Sequence, residues 1–244
     1  GLAAPCTGGA GKNLGWQLII DELISEAATT DYAIPAISAL EGADGADEDA
    51  LVTPGSEWIT IRGTNFGPID AKRDTGQFAV PFLSKVTYGP NGVWYTATDC
   101  AVGAAGGVAP GHTEMRCKTV PGVGEDLKWQ VTVQGQTNDL TLLGVRTAYA
   151  KPVIDSLTVD GYPQLTEAKN GAEPNQSTGP TPGLVTITAK GTNFGLRDEN
   201  AVQQIIFGGQ VLNPTKFLID QDSVEFLLPE WHGRDKEVYL RILP

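Results

Sequence analysis

Apolar and polar positions alternate with a period of two in five short runs, at residues 58–62, 85–88, 129–133, 184–188 and 238–242. The runs are rich in Val, Ile, Thr and aromatics and are bounded by Gly, Pro and Asn. That pattern predicts half-buried strands of antiparallel sheets, and hence an all-β chain. Residues 17–28 are ambiguous. They carry Leu18, Ile19, Ile20, Leu23 and Ile24 at a spacing that suits a helix or a strand followed by a loop. The strand is preferred because the neighbouring residues repeat a strand found elsewhere.

The chain repeats itself. Thr181-Pro182-Gly183 followed by Gly191-Thr192-Asn193-Phe194-Gly195 echoes Thr53-Pro54-Gly55 followed by Gly63-Thr64-Asn65-Phe66-Gly67 at a constant offset of 128 residues. Residues 149–157, beginning Tyr149-Ala150-Lys151-Pro152, echo residues 32–40, beginning Tyr32-Ala33-Ile34-Pro35, at an offset of 117. A third echo runs from Gly11 through Trp16 to Leu18 against Gly124 through Trp129 to Val131, with Cys6 near the place of Cys117. These echoes predict three pieces. Residues 1–33 are the closing strands of one unit or a donor segment, 34–150 are a whole unit, and 151–244 are a unit without its final strand.

The Gly-Thr-Asn-Phe-Gly turns at 63–67 and 191–195, the Pro-x-Ile-x-x-Leu openings at 35–40 and 152–157, and Val-Pro-Gly-Val-Gly at 120–124 resemble the IPT/TIG family of immunoglobulin-like domains. The likeness spans nearly the whole chain. It implies tandem immunoglobulin-like β-sandwiches of IPT/TIG type, non-catalytic and extracellular or on the cell surface. In the turns, Gly63 and Gly67 are expected to supply positive φ, Asn65 to bond its own turn and Phe66 to drop its ring into the end of the sandwich. Gly191, Asn193, Phe194 and Gly195 repeat those roles.

The resemblance also implies a disulfide between Cys100 and Cys117, which flank a Gly/Ala-rich loop; two buried free thiols are the alternative. A bridge there would add about 3 kcal/mol by loop-closure entropy. Cys6 is left unpaired or with a partner elsewhere. Asn175 opens the one Asn-x-Ser/Thr sequon, in a polar stretch that suits attached glycan, and Ser177, Thr178 and Thr181 are weaker O-linked candidates.

Charge narrows the function classes. Lys and Arg number 17 against 29 Asp and Glu, a net charge of −12. Such a chain repels nucleic acid and anionic lipid. No run is apolar enough for a membrane helix. His112 and His232 are far apart and read as exposed loop residues. No nucleophile, zinc or phosphate-loop motif occurs, so no catalytic residue, metal site or cofactor is expected. The acidic run 41–49 carries carboxylates that suit Ca²⁺ weakly; its spacing does not fit an EF-hand loop, and a solvated acidic loop is the preferred reading.

Only Ala150 and Lys151 separate Tyr149 from Pro152, so successive units are expected to form a stiff rod. Trp16, Leu18, Ile20 and Leu23 have no core of their own in this reading and are candidate assembly residues. Head-to-tail joining of copies by β-strand addition, giving a filament, follows as an expectation. A ligand- or carbohydrate-binding ectodomain, one window of a longer IPT array, is the alternative, with Trp94, Tyr95 and Trp231 as candidate contact aromatics.

Overall fold

A computed structural model describes residues 9–69, 83–103, 111–142, 145–162, 180–195, 202–214, 216–219, 222–232 and 236–243. Cys6, Asn175, Ser177 and Thr178 lie outside the described residues. The chain is all-β and divides into two compact units. One comprises Gly1–Asp49, Ser56–Val120 and Asp126–Thr147, and the other Ala50–Gly55, Pro121–Glu125 and Ala148–Pro244. The boundaries drawn from the repeat differ from these at residues 1–33, which fall with the first unit, and at residues 50–55, 121–125 and 148–150.

The first unit opens with four short strands, β1 (Leu14–Trp16), β2 (Ile19–Ile20), β3 (Leu23–Ile24) and β4 (Ala28–Thr30). Strand β1 pairs with β4 and β2 with β3, both antiparallel. Residues 17–28 are therefore strands and turn, not helix. The sandwich follows. Its first sheet runs β5 (Ala36–Ala43), β6 (Trp58–Thr64), β10 (Glu114–Lys118), β9 (Thr98–Val102). Its second runs β12 (Gln136–Thr137), β11 (Lys128–Val133), β7 (Leu83–Gly89), β8 (Tyr95–Thr96).

Period-two alternation explains the layers. In β10, Met115 and Cys117 are buried while Glu114, Arg116 and Lys118 are half-buried; β11 buries Trp129, Val131 and Val133 in the same rhythm. Ile59, Ile61 and Met115 from one sheet and Val86, Tyr88, Trp129 and Val131 from the other form the core. Tyr88 stacks on Trp129 with centroids 4.4 Å apart. Tyr95 is buried beside Tyr88, so it is a core residue and not a contact aromatic. Asp139 accepts hydrogen bonds from the backbone and hydroxyl of Thr141 ahead of the 3-10 turn Leu140–Leu142, and these hold its carboxyl below the usual range.

The second unit repeats the plan. One sheet runs β13 (Val153–Val159), β14 (Thr186–Thr192), β18 (Ser223–Leu227), β17 (Lys216–Ile219); the other runs β16 (Gln210–Leu212), β15 (Val202–Phe207), β19 (Val238–Leu243). Val159, Ile187, Ala189, Phe194, Ile205, Phe207, Phe226 and Leu240 fill its core. Strand β14 starts at Thr186, two residues later than the alternation at 184–188 suggests. Leu184 has a left-handed φ of 63° and an exposed side chain, which ends the turn before the ladder begins.

The repeated turns work differently from expectation at two positions. Gly67 and Gly195 have φ of 89° and 78°, and Asn65 and Asn193 have φ of 63° and 60°. Gly63 and Gly191 do not have positive φ. They are close-approach glycines: a Cβ on Gly63 would sit 1.9 Å from the Ala36 carbonyl oxygen, and one on Gly191 would sit 1.8 Å from that of Val153. Nor does either Asn bond its own turn. Asn65 Nδ2 donates to Ile34 O at 2.8 Å and Asn193 Nδ2 to Lys151 O at 3.3 Å, so each clasps the carbonyl just before the proline that opens the unit. Phe66 and Phe194 are buried.

Replacing Gly191 with Ala forces backbone apart, and overpacking of this kind costs about 3 kcal/mol. Urea unfolding of Gly191→Ala should show the second unit melting earlier while the first is unchanged; an unaltered transition would contradict the close-approach account.

Candidate functional site

Three features stand out once the sandwiches are built: a disulfide-locked sheet edge, an apolar hairpin outside any core, and an open strand edge. The disulfide joins Cys100 on β9 to Cys117 on β10, neighbouring strands of one sheet. Asp99 has a left-handed φ of 50°, and the β9–β10 register shifts between Arg116 and Lys118, so a bulge brings the two sulfurs together. Cys117 is fully buried. On the outer face, Arg116 and Lys118 lie 5.1 and 4.9 Å from the Trp58 ring centroid, a pair of cation–π contacts the sequence pattern did not reveal.

The charged groups of this face are engaged in structure. Arg62 pairs with Glu41 and Glu114, and the hydrogen bond to Glu41 leads in raising its pKa. In the acidic run, Asp44 pairs with Arg116, Glu48 accepts from Gly42 N, and Asp47 accepts from Asp49 N. Those carboxylates serve a loop of the protein. His112 is half-buried, contrary to the exposed position expected of it, because its backbone closes the turn: its N–H donates to Gly67 O at 2.7 Å and its carbonyl accepts from Phe66 N. His232 is exposed.

The hairpin is the stretch from Gly11 to Tyr32. Its apolar side chains face solvent: Trp16 is 60%, Leu18 61%, Ile20 62% and Leu23 76% exposed. Trp16 Nε1 donates to Thr30 Oγ1 at 2.8 Å, and Leu18 N donates to Ser25 Oγ at 3.0 Å. The structure thus brings the four assembly candidates together on one small element.

The open edge belongs to β19, which pairs with β15 alone among the described residues. Gly208 N donates to Glu237 O, which sets the phase of this ladder. Tyr239 and Arg241 then bond toward β15, and Val238, Leu240 and Ile242 turn their N–H and C=O groups outward. In the first unit the corresponding edge of β11 is covered. Asn138 N donates to Val131 O, Val131 N to Asn138 Oδ1, and Leu127 and Thr147 exchange both backbone bonds.

A cleft of about 480 Å³ lies in the second unit, lined by Thr181, Pro182, Gln210, Glu230, Trp231 and His232. Trp231 packs edge-on against Phe207 and carries Lys236 at 5.4 Å from its ring centroid. Trp94 is exposed on the first unit.

Fold and bridge together define an all-β protein consistent with immunoglobulin-like sandwiches. Disulfides persist in oxidising compartments, which fits a secreted or surface protein. No protein-family model and no curated protein matches the chain. Among solved structures it is similar to the full extracellular region of plexin A4, at a TM-score of 0.29 and 15% identity, over 85% of this chain and 16% of that one. The chain thus spans less than a fifth of that structure's length, and at this score its fold rests on its own sheets. Among the described residues no helix is long and apolar enough to cross a membrane.

Cys100 and Cys117 are separated by 17 residues, so removing the bridge should cost the first unit about 3 kcal/mol. Urea unfolding of the double variant Cys100→Ser, Cys117→Ser should show that loss in the first unit with the second unchanged; equal stability with and without the bridge would contradict it.

Proposed function

We propose that this chain is a non-catalytic extracellular structural protein: tandem immunoglobulin-like units of IPT/TIG kind, stacked in a rod and joined to neighbours by β-strand addition into a homo-oligomer or filament. The repeated sandwich carries the reading: both units open on the same Gly-Thr-Asn-Phe-Gly turn, whose Asn clasps the carbonyl just before the unit's proline. Outward N–H and C=O groups at Val238, Leu240 and Ile242 meet no described partner, while the same positions of the first unit, Trp129, Val131 and Val133, are bonded by Asn138 and β12. An edge of this kind recruits a strand. The short Tyr149–Pro152 junction supports the rod, and the disulfide supports the location.

Proline at position 242 removes an outward donor without touching the β15 ladder. In analytical ultracentrifugation Ile242→Pro should abolish concentration-dependent association, and Ile242→Val should retain it. Equal association of both variants would overturn strand addition at this edge.

A second reading, a carbohydrate-binding ectodomain, is favoured by the Trp231 cleft, where one aromatic stands beside Glu230, Gln210 and His232. It predicts that Trp231→Ala loses at least tenfold in glycan affinity by calorimetry; unchanged affinity excludes the cleft.

A further inference from the structure

The hairpin at 11–32 matches the closing hairpin of the first sandwich in its backbone and its hydrogen bonds. Gly11 and Gly124 have φ of 118° and 109°, and Asn13 and Asp126 have φ of 56° and 58°. The two-residue turns match as well. Asp21 and Glu22 stand at 47° and 68°, Gln134 and Gly135 at 45° and 77°. Ser25 N donates to Leu18 O as Asn138 N donates to Val131 O, and Leu18 N bonds the Ser25 side chain as Val131 N bonds that of Asn138. Trp16 Nε1 bonds Thr30 Oγ1 as Trp129 Nε1 bonds Thr147 Oγ1, at 2.8 and 3.0 Å. Tyr32 N donates to Gly11 O as Tyr149 N donates to Gly124 O, both at 2.9 Å.

Burial separates the two hairpins. Trp129, Val131 and Val133 are at most 1% exposed, whereas their counterparts Trp16, Leu18 and Ile20 are at least 60% exposed. The same geometry is thus built twice, once with a sandwich beneath it and once without. Two strands alone are marginal in water, and left-handed Glu22 adds a conformational cost that a packed context must offset.

We infer that residues 11–32 are the closing hairpin of a further sandwich of this same fold, which precedes them in the polypeptide series. The inference deepens the scaffold reading and rests on it. The register follows from the first unit, where Trp129 lies opposite Tyr88 and Val131 opposite Val86. Trp16 therefore stacks on an aromatic at the end of the partner's strand, and Leu18 faces a β-branched or aliphatic residue two positions earlier. The backbone groups of Gly15 and Gln17, equivalent to those of Lys128 and Gln130, pair with that strand.

This register disfavours the 151–244 unit of a second copy as the acceptor. There the place opposite Ile205 and Phe207 is already held by β19, with Leu240 and Val238 in the positions of Val131 and Trp129. A junction argument agrees. Tyr32-Ala33-Ile34-Pro35 leads into β5 as Tyr149-Ala150-Lys151-Pro152 leads into β13.

Two experiments test the inference. In the first, residues 13–30 replace residues 126–147 of the chain, and a control keeps the native hairpin with its loop shortened by the same four residues. The transplanted Trp16 should become as resistant to hydroxyl-radical oxidation as Trp129, with the Cys100–Cys117 bridge formed. A folded control beside a chimera that stays unfolded or leaves this Trp reactive would overturn the inference. In the second, footprinting compares residues 1–244 with the polypeptide isolated from its natural source. Trp16 should oxidise at least about tenfold more slowly in the natural material. Equal reactivity would overturn the inference, as would protection that is lost on dilution, which would signal a second copy. Because these readouts report Trp16 and not β19, they fail independently of association at Ile242.

Discussion

Trp129 is held by a stacked Tyr88 on one ring face, by a hydrogen bond from its indole N–H to Thr147, and by the ladder that pairs β11 with β7. The stack and the ladder require the closing hairpin to lie against the sheet. A buried tryptophan contributes more than any other side chain in a core of this size, and its polar N–H must find an acceptor there. Closure of the sandwich and burial of this ring are therefore one event. Where the hairpin lacks a sheet beneath it, as around Trp16, the indole-to-threonine bond persists but the stack and the ladder do not. Each large aliphatic left outside forfeits about 2 kcal/mol of burial.

The opening end of each unit is set by a second constraint, the near contact between the first two strands. Gly63 and Gly191 admit the carbonyls of Ala36 and Val153, and Asn65 and Asn193 clasp the carbonyls just before Pro35 and Pro152. Buried Phe66 and Phe194 sit behind these turns. A single pentapeptide thus fixes where each unit begins, while the tryptophan hairpin fixes how the first one ends.

Much of this was legible in the sequence because both constraints leave residue signatures. Alternation located β6, β7, β11 and β19, and the repeat located the turns. A glycine required by a neighbour's carbonyl, such as Gly63, looks the same in sequence as one required by φ. A Pro-Gly-His turn is usually solvated, and nothing local in the sequence reveals that the His112 backbone bonds Gly67 and Phe66. Apolar Leu184 continues the alternation although its backbone is left-handed, so the pattern runs two residues ahead of β14. For the candidate site, the echo of Trp16 with Trp129 was visible. The matching roles of Ser25 with Asn138 and of Glu22 with Gly135 were not, because different residue types fill equivalent positions.

Amide hydrogen exchange at Gly15 and Gln17 tests the closing-hairpin account most directly. Their N–H groups lie on the hairpin edge that a partner strand must cover, as Lys128 and Gln130 are covered by β7. In the polypeptide isolated from its natural source, the account predicts exchange at Gly15 and Gln17 as slow as at Lys128 and Gln130. Exchange there as fast as in an open loop, with the first unit intact, would contradict it.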